Sequence, residues 1–359
     1  MQNLSTRKFL SNKTFWLYVI CGGFVLCTAL LGLFISSVTI PISSIISIIL
    51  DNSLGITWKE DIPKNEEMII WNIRLPRVLL ALFVGASLAL AGAAFQGLLR
   101  NPLADPYTIG VSSGAALGAV IVLFFQVTIV WLGSFTLPIV AILSGFLTLI
   151  VVFGLVRLSS RNLAIETIIL AGIIVSAFVG AIISLIIALS DQDSMTQIIY
   201  WLYGSVSMRG WSHVQLILPF MIIGTFMLIF HYRELNALAL GEDAADHIGV
   251  NVNRGKILIL IGASLLTGAA VAVSGTIGFV GLVIPHLVRL ITGPNHRYVL
   301  PLSMLVGGAF LVCADLIART IIAPKELPIG VITALIGAPV FALLLVRERI
   351  GRRKGHVES

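Results

Sequence analysis

Arg74 and Arg77, three positions apart in RLPR (74–77), stand just before a long apolar run, and Arg319 stands just after another. A guanidinium pairs with a carboxylate through two parallel hydrogen bonds, so three of them at one mouth suit the capture of acidic side chains from an external protein. The same placement suits flanking charges that snorkel to lipid headgroups, and the sequence alone leaves both readings open. His286, in VIPHLVR, stands alone and reads as a buried or helix-end group rather than a metal ligand. Cys21, Cys27 and Cys313 fall inside apolar runs and read as small buried hydrophobes.

Several chemistries are missing from the chain. No Walker A string is present, so any ATP used is hydrolysed by another chain. No GxSxG-type nucleophile and no paired intramembrane aspartates are present, which weighs against a membrane protease. No apolar run carries a carboxylate near its centre: Glu166 lies at the inner end of one run and Asp315 near the outer end of another. An ion-coupled carrier usually binds its ion at such a group, so that class is the rival rather than the preferred reading. Basic residues are scattered at segment ends without a stripe, and no nucleic-acid partner is expected.

These residues need elements to hold them, and the composition says which. Of 359 residues 58% are hydrophobic and only 11% charged, with a mean hydropathy of +1.03. Uninterrupted apolar runs near 20 residues cannot all be buried in a water-soluble fold, so the chain is an integral membrane protein. The runs lack period-two alternation, which excludes a membrane barrel and leaves an all-α membrane fold. About ten spans are expected, at 15–36, 78–98, 109–126, 135–156, 163–188, 213–231, 256–274, 279–292, 299–318 and 328–346. The eighth is short and carries Pro285, His286 and Arg289, so it should be broken or sheltered among other helices.

Residues 1–14 and 347–359 read as cytoplasmic tails. Most Lys and Arg then fall inside, including Arg7, Lys8, Lys13, Arg100, Arg161, Arg254, Lys256 and the tail residues Arg347, Arg349, Arg352, Arg353 and Lys354, while Lys59, Arg74, Arg77 and Arg319 lie outside. GASLALAGAAF (85–95) and GASLLTGAAVA (262–272) look alike and would run in opposite directions, as inverted repeats do; small residues also recur wherever membrane helices pack closely. Between spans six and seven, LNALALGEDAADHIGVNVNRG (235–255) is polar enough for water and starts like a short amphipathic helix. It is either an ordinary solvated loop or the handle by which a soluble partner moves two spans.

Five strings occur in order: RLPR (74–77), GAAFQGLLRNPLADPYTIGVSSGAALGA (92–119), LNALALGEDAADHIGV (235–250), SGTIGFVGLVIPHLVRLITGPNHR (274–297) and ELPIGVITALIGAPVFALLL (326–345). By these the chain resembles FecCD-type permeases of iron-siderophore, haem and vitamin B12 ABC importers. The resemblance implies a type II importer fold of ten spans with an inverted repeat, in the bacterial cytoplasmic membrane. It implies a homo- or heterodimer, ABC ATPases on the cytoplasmic side that hold the ATP and Mg, and an extracytoplasmic binding protein. It assigns ATPase coupling to Leu235, Leu238, Ala239, Leu240, Gly241, Glu242, Ala245 and Gly249, with Gly241 between two helices. It assigns binding-protein docking to Arg74, Arg77 and Arg319, and an inner gate to Asn101, Leu103, Ile165 and Glu166. A ferric siderophore is the expected cargo, with haem or cobalamin as alternatives; no cofactor bound by the chain and no catalytic residue are expected.

Overall fold

The computed structural model describes residues 4–36, 38–56, 58, 62–159 and 164–357, and of 4–13, 345 and 347–357 only the backbone. Arg161 and Lys59 lie outside the described residues, as do the side chains of Arg7, Lys8, Lys13, Arg347, Arg349, Arg352, Arg353 and Lys354. The helices are, in chain order, α1 (Leu4–Phe34), α2 (Ile42–Leu54), α3 (Lys64–Met68), α4 (Leu75–Leu98), α5 (Val111–Phe124), α6 (Thr136–Ser159), α7 (Ile165–Leu189) and α8 (Gln192–Leu202). They continue with α9 (Gly210–Phe230), α10 (Tyr232–Leu238), α11 (Glu242–His247), α12 (Val252–Ser274), α13 (Val280–Thr292), α14 (His296–Thr320) and α15 (Ile329–Val357). A π-helical turn, Ile69–Arg74, joins α3 to α4 without a break.

Each expected span has its helix. Seven helical stretches among the described residues are long and apolar enough to cross a bilayer alone; α5, α13 and the apolar part of α15 (Ile329–Leu344) are shorter. At 1.5 Å per residue the 14 residues of α5 reach about 21 Å, short of the roughly 30 Å hydrocarbon core. Both α5 and α13 begin within the bundle. The chain turns back after α4, and Tyr107 donates its hydroxyl to the Ile277 carbonyl (2.9 Å) and accepts from the Ile277 N–H (2.8 Å). Irregular backbone at this depth is tolerated because the two turns satisfy one another. The short eighth span is thus sheltered, packed on α4 and α14.

α4 and α12 form the centre. Both are apolar around nearly their whole circumference and buried along most of their length, as a helix with no solvent- or lipid-facing side must be. They run in opposite directions: the first turns of α4 meet Ser207, while the α12 end accepts at Ser274 from the N–H of Ser205. The two look-alike strings therefore sit on antiparallel core helices, each followed by a short helix that starts inside the bundle. Small residues let the backbones touch. A Cβ added at Gly92 would lie 2.0 Å from the Gly281 carbonyl oxygen, and the obstacle is backbone, which cannot swing away. Gly92→Ala should therefore part α4 from α13 and cost about 1–3 kcal/mol or more. A thermal unfolding midpoint in detergent should drop clearly for this variant and stay level for Gly180→Ala, where an added Cβ meets nothing within 4 Å.

One segment differs from expectation. The stretch between the first two expected spans contains the apolar helix α2, whose Ile45 and Ile48 pack with Ile40 and Ile70. At 13 residues it is too short to signal a span, so its pattern was hidden in the loop.

Candidate functional site

At the end of the bundle that the distribution of Lys and Arg assigns to the inside, α10 and α11 lie side by side between α9 and α12. Helices of seven and six residues are unstable alone, so they persist here through anchoring. Leu235, Leu238 and Ala245 are fully buried. Asn236 accepts at Oδ1 from the His296 backbone N–H and from Nδ1 of the same residue (2.9 Å each), and donates to Asn295 Oδ1 (2.9 Å), tying α10 to the start of α14. Lys256, buried on α12, reaches Glu242 at 2.6 Å and holds α11. Gly241 separates the helices at φ 119°, ψ 154°, a conformation essentially confined to glycine. Gly249 (φ 85°) ends α11, with its N–H on the Asp246 carbonyl and that of Val250 on Ala245, a Schellman-like stop.

The opposite face is bare. Leu240 is 74% exposed and Ile248 65%, with Ala239 and Gly249 beside them and Asp243, Asp246 and His247 around them. This is an apolar centre with a charged rim on a doubly anchored base, the surface a rigid partner can push against. Of the residues expected here, Leu235, Leu238 and Ala245 anchor, Glu242 pairs with Lys256, Gly241 breaks and Gly249 stops, while Ala239 and Leu240 face out. Sequence reasoning missed Asn236, Lys256 and Asn295, whose partners are distant in the chain, and Ile248, which the exposed alternation of Leu240 and Ile248 across Gly241 could have revealed. Lys256→Met should loosen α11. A hydrogen bond to a charged group is worth about 1.5–3 kcal/mol, so amide exchange across Ala244–His247 should speed up by about ten- to a hundredfold, with α12 unaffected.

At the other end Arg74, Arg77 and Arg319 do come together, but they are buried and form no exposed ring. Arg74 donates to the carbonyls of Leu33 (3.0 Å) and Val38, and Arg319 to that of Gly32, so both satisfy the last turn of α1, where orphan carbonyls and the helix dipole favour cations. Arg77 makes a two-sided clasp. Its Nε donates to both carboxylate oxygens of Asp315 (3.0 and 3.1 Å) and Nη2 to Oδ1 (2.9 Å), while Nη1 donates to Glu326 (2.8 Å). Arg319 Nε lies 3.8 Å from Asp315. The three guanidiniums are thus held within the fold rather than snorkelling outward: a span-end arginine takes a partner when the fold supplies one, and for Arg77 fully buried Asp315 is one such partner. Glu326 is the accessible member, its side chain 40% exposed. Burial pushes its carboxyl up, but the hydrogen bond and charge of Arg77 outweigh this and hold it below the usual carboxylate range. Its contribution to stability is therefore present above that range and lost as pH falls through the lowered value.

Of the expected gate residues, Asn101 and Leu103 are exposed on the turn after α4, where the Asn101 side chain accepts from the Leu103 N–H (2.9 Å). Glu166 is exposed on the first turn of α7, whereas Ile165 is turned into the core and packs rather than lines a surface in this conformation.

An antiparallel core of membrane-spanning helices, with two short helices held rigidly at one end, defines a polytopic membrane protein. Residues 24–347 match the FecCD transport family, and the chain belongs to that family: it is a permease of the ABC importer class and a multi-pass protein of the bacterial cytoplasmic membrane. It is 52% identical, over 98% of its length and 99% of the relative's, to the ABC transporter permease protein YvrB of Bacillus subtilis (strain 168). It is 44% identical to the hemin transport system permease protein HmuU of Yersinia pestis (78% of this chain, 84% of that one). Identity is 43% to the cobalamin import system permease protein BtuC of Halobacterium salinarum (80% and 76%). A solved chain of a metal-chelate type ABC transporter in an inward-facing conformation superposes with a TM-score of 0.80 at 34% identity, covering 94% of this chain and 99% of that one.

Proposed function

We propose that this permease forms the pore of an importer for a ferric siderophore, in a dimer of permeases driven by separate ABC ATPases and fed by an extracytoplasmic binding protein. The exposed Leu240 and Ile248, on two helices locked to α12 and α14, carry the reading: an apolar face this rigidly held transmits force from an ATPase to the core helix α12. The relatives' cargoes (hemin, cobalamin) are bulky metal chelates, and chelated iron is the member of that class favoured here. Reconstitution with its ATPase and binding protein should give ATP-dependent uptake of a ferric siderophore. Uptake of hemin or cobalamin in its place would overturn the cargo and leave the importer; no uptake of any chelate would overturn both.

The binding protein is proposed to dock at the outer mouth over Arg74, Arg77 and Arg319, with Arg77 the member reached first, because its Glu326 partner is part-exposed and an incoming carboxylate can exchange for it. Glu326→Ala should then tighten binding-protein association severalfold, more at low salt than at high. Unchanged or weaker association would remove Arg77 from the docking surface.

A further inference from the structure

A cavity of about 770 Å³ opens at the cytoplasmic end between α4, α13, the start of α14 and α10. Its wall carries two guanidiniums, Arg100 and Arg289, together with Gln96 and His286, and no acidic side chain among its lining residues. Gln96 is fixed: its Nε2 donates to the carbonyls of Gly281 (3.3 Å) and Leu282 (3.0 Å), so its oxygen faces Arg289 and accepts from Nη1 (3.2 Å). That bond aims the guanidinium, and its Nη2 is buried with no hydrogen-bond partner in the protein. A buried cationic donor left unpaired is costly, and here no carboxylate of the wall offsets it.

Arg100 joins the lining from the turn after α4. It is exposed at the end of α4, held at φ 49°, a left-handed backbone that turns the chain there. Its Nη1 lies 3.9 Å from where a Cβ on Gly241 would sit, so it touches both the cavity and the break between α10 and α11. The lining also carries apolar side chains, among them Leu290, 63% exposed, and Leu344. Two forked cations in a lining with apolar side chains, at the inner end of the spans, suit a phosphate group that has a hydrocarbon neighbour. Basic pockets between membrane helices on the cytoplasmic side bind lipid headgroups in this way.

We propose that this cavity binds a phosphate group between Arg100 and Arg289, from an anionic phospholipid of the inner leaflet or from free phosphate, and that the occupant steadies Arg100 against the α10–α11 break. The inference is independent of the cargo. The test uses the full-length permease purified in detergent, with phosphatidylglycerol or phosphatidylcholine micelles and inorganic phosphate as probes. Retention of phosphatidylglycerol over phosphatidylcholine, read by native mass spectrometry, should fall at least tenfold in Arg289→Gln and Arg100→Gln. It should stay level in Arg297→Gln, an exposed charge at the same end that does not line the cavity. Arg100 is exposed, so its variant keeps the test alive if Arg289→Gln does not fold. Saturation by inorganic phosphate without selective lipid retention, lost in the same two variants, would assign free phosphate as the source. If neither probe distinguishes these two variants from Arg297→Gln, the site is refuted.

Discussion

Replacing Gly241 with valine is expected to cut ATP-driven uptake at least tenfold while leaving the permease folded. A Cβ at this position has room, its nearest neighbour being the tip of Arg100, so nothing is crushed. The cost is in the backbone: at φ 119°, ψ 154° a β-branched residue is strained by about 1–3 kcal/mol, and relief comes from rotating α11 against α10. That rotation pulls Leu240 and Ile248 out of register while the core, which does not involve Gly241, stays intact. ATP-dependent uptake in proteoliposomes, beside an unfolding curve, separates the two effects. Full uptake by the valine variant would mean that the angle between the helices is immaterial.

Asp315→Ala should be the most destabilising single change at the outer end. It strips the Asp315 oxygens from Arg77, which keeps Glu326, and removes the nearest counter-charge from buried Arg319, so the cost falls toward the lower end of the about 3–5 kcal/mol of a broken buried pair. Arg77→Met combined with Asp315→Leu should recover much of that loss, because a buried pair exchanged for apolar side chains of similar volume is often neutral. Unfolding midpoints of the single and double variants decide it, and equal loss in both would show that packing rather than charge is at stake.

What the sequence made legible follows from the range of the interactions. Span positions, the shortness of α13 and the water-facing stretch between α9 and α12 depend on local hydropathy and were readable. Gly241 as the break between two helices came with the family resemblance. The Arg77–Asp315 pairing was not legible because the two residues lie on different helices, and the packing of α4 on α14 brings them together. Asn236, Lys256 and Asn295 escaped for the same reason, since a single Asn or Lys at a helix end carries no sign of its partner. α2 was lost because thirteen apolar-rich residues beside a polar loop do not look like a span.

The central claim is that movement of the spans is imposed from the cytosol through α10 and α11. Spin labels on Lys325→Cys at the outer mouth of the two permeases of the reconstituted complex test it most directly. Adding ATP should change the distance between the labels, and Leu240→Asp with Ile248→Asp should abolish that change while the complex stays folded. An equal change in the double variant, or one seen with ATP and no ATPase present, would contradict the account.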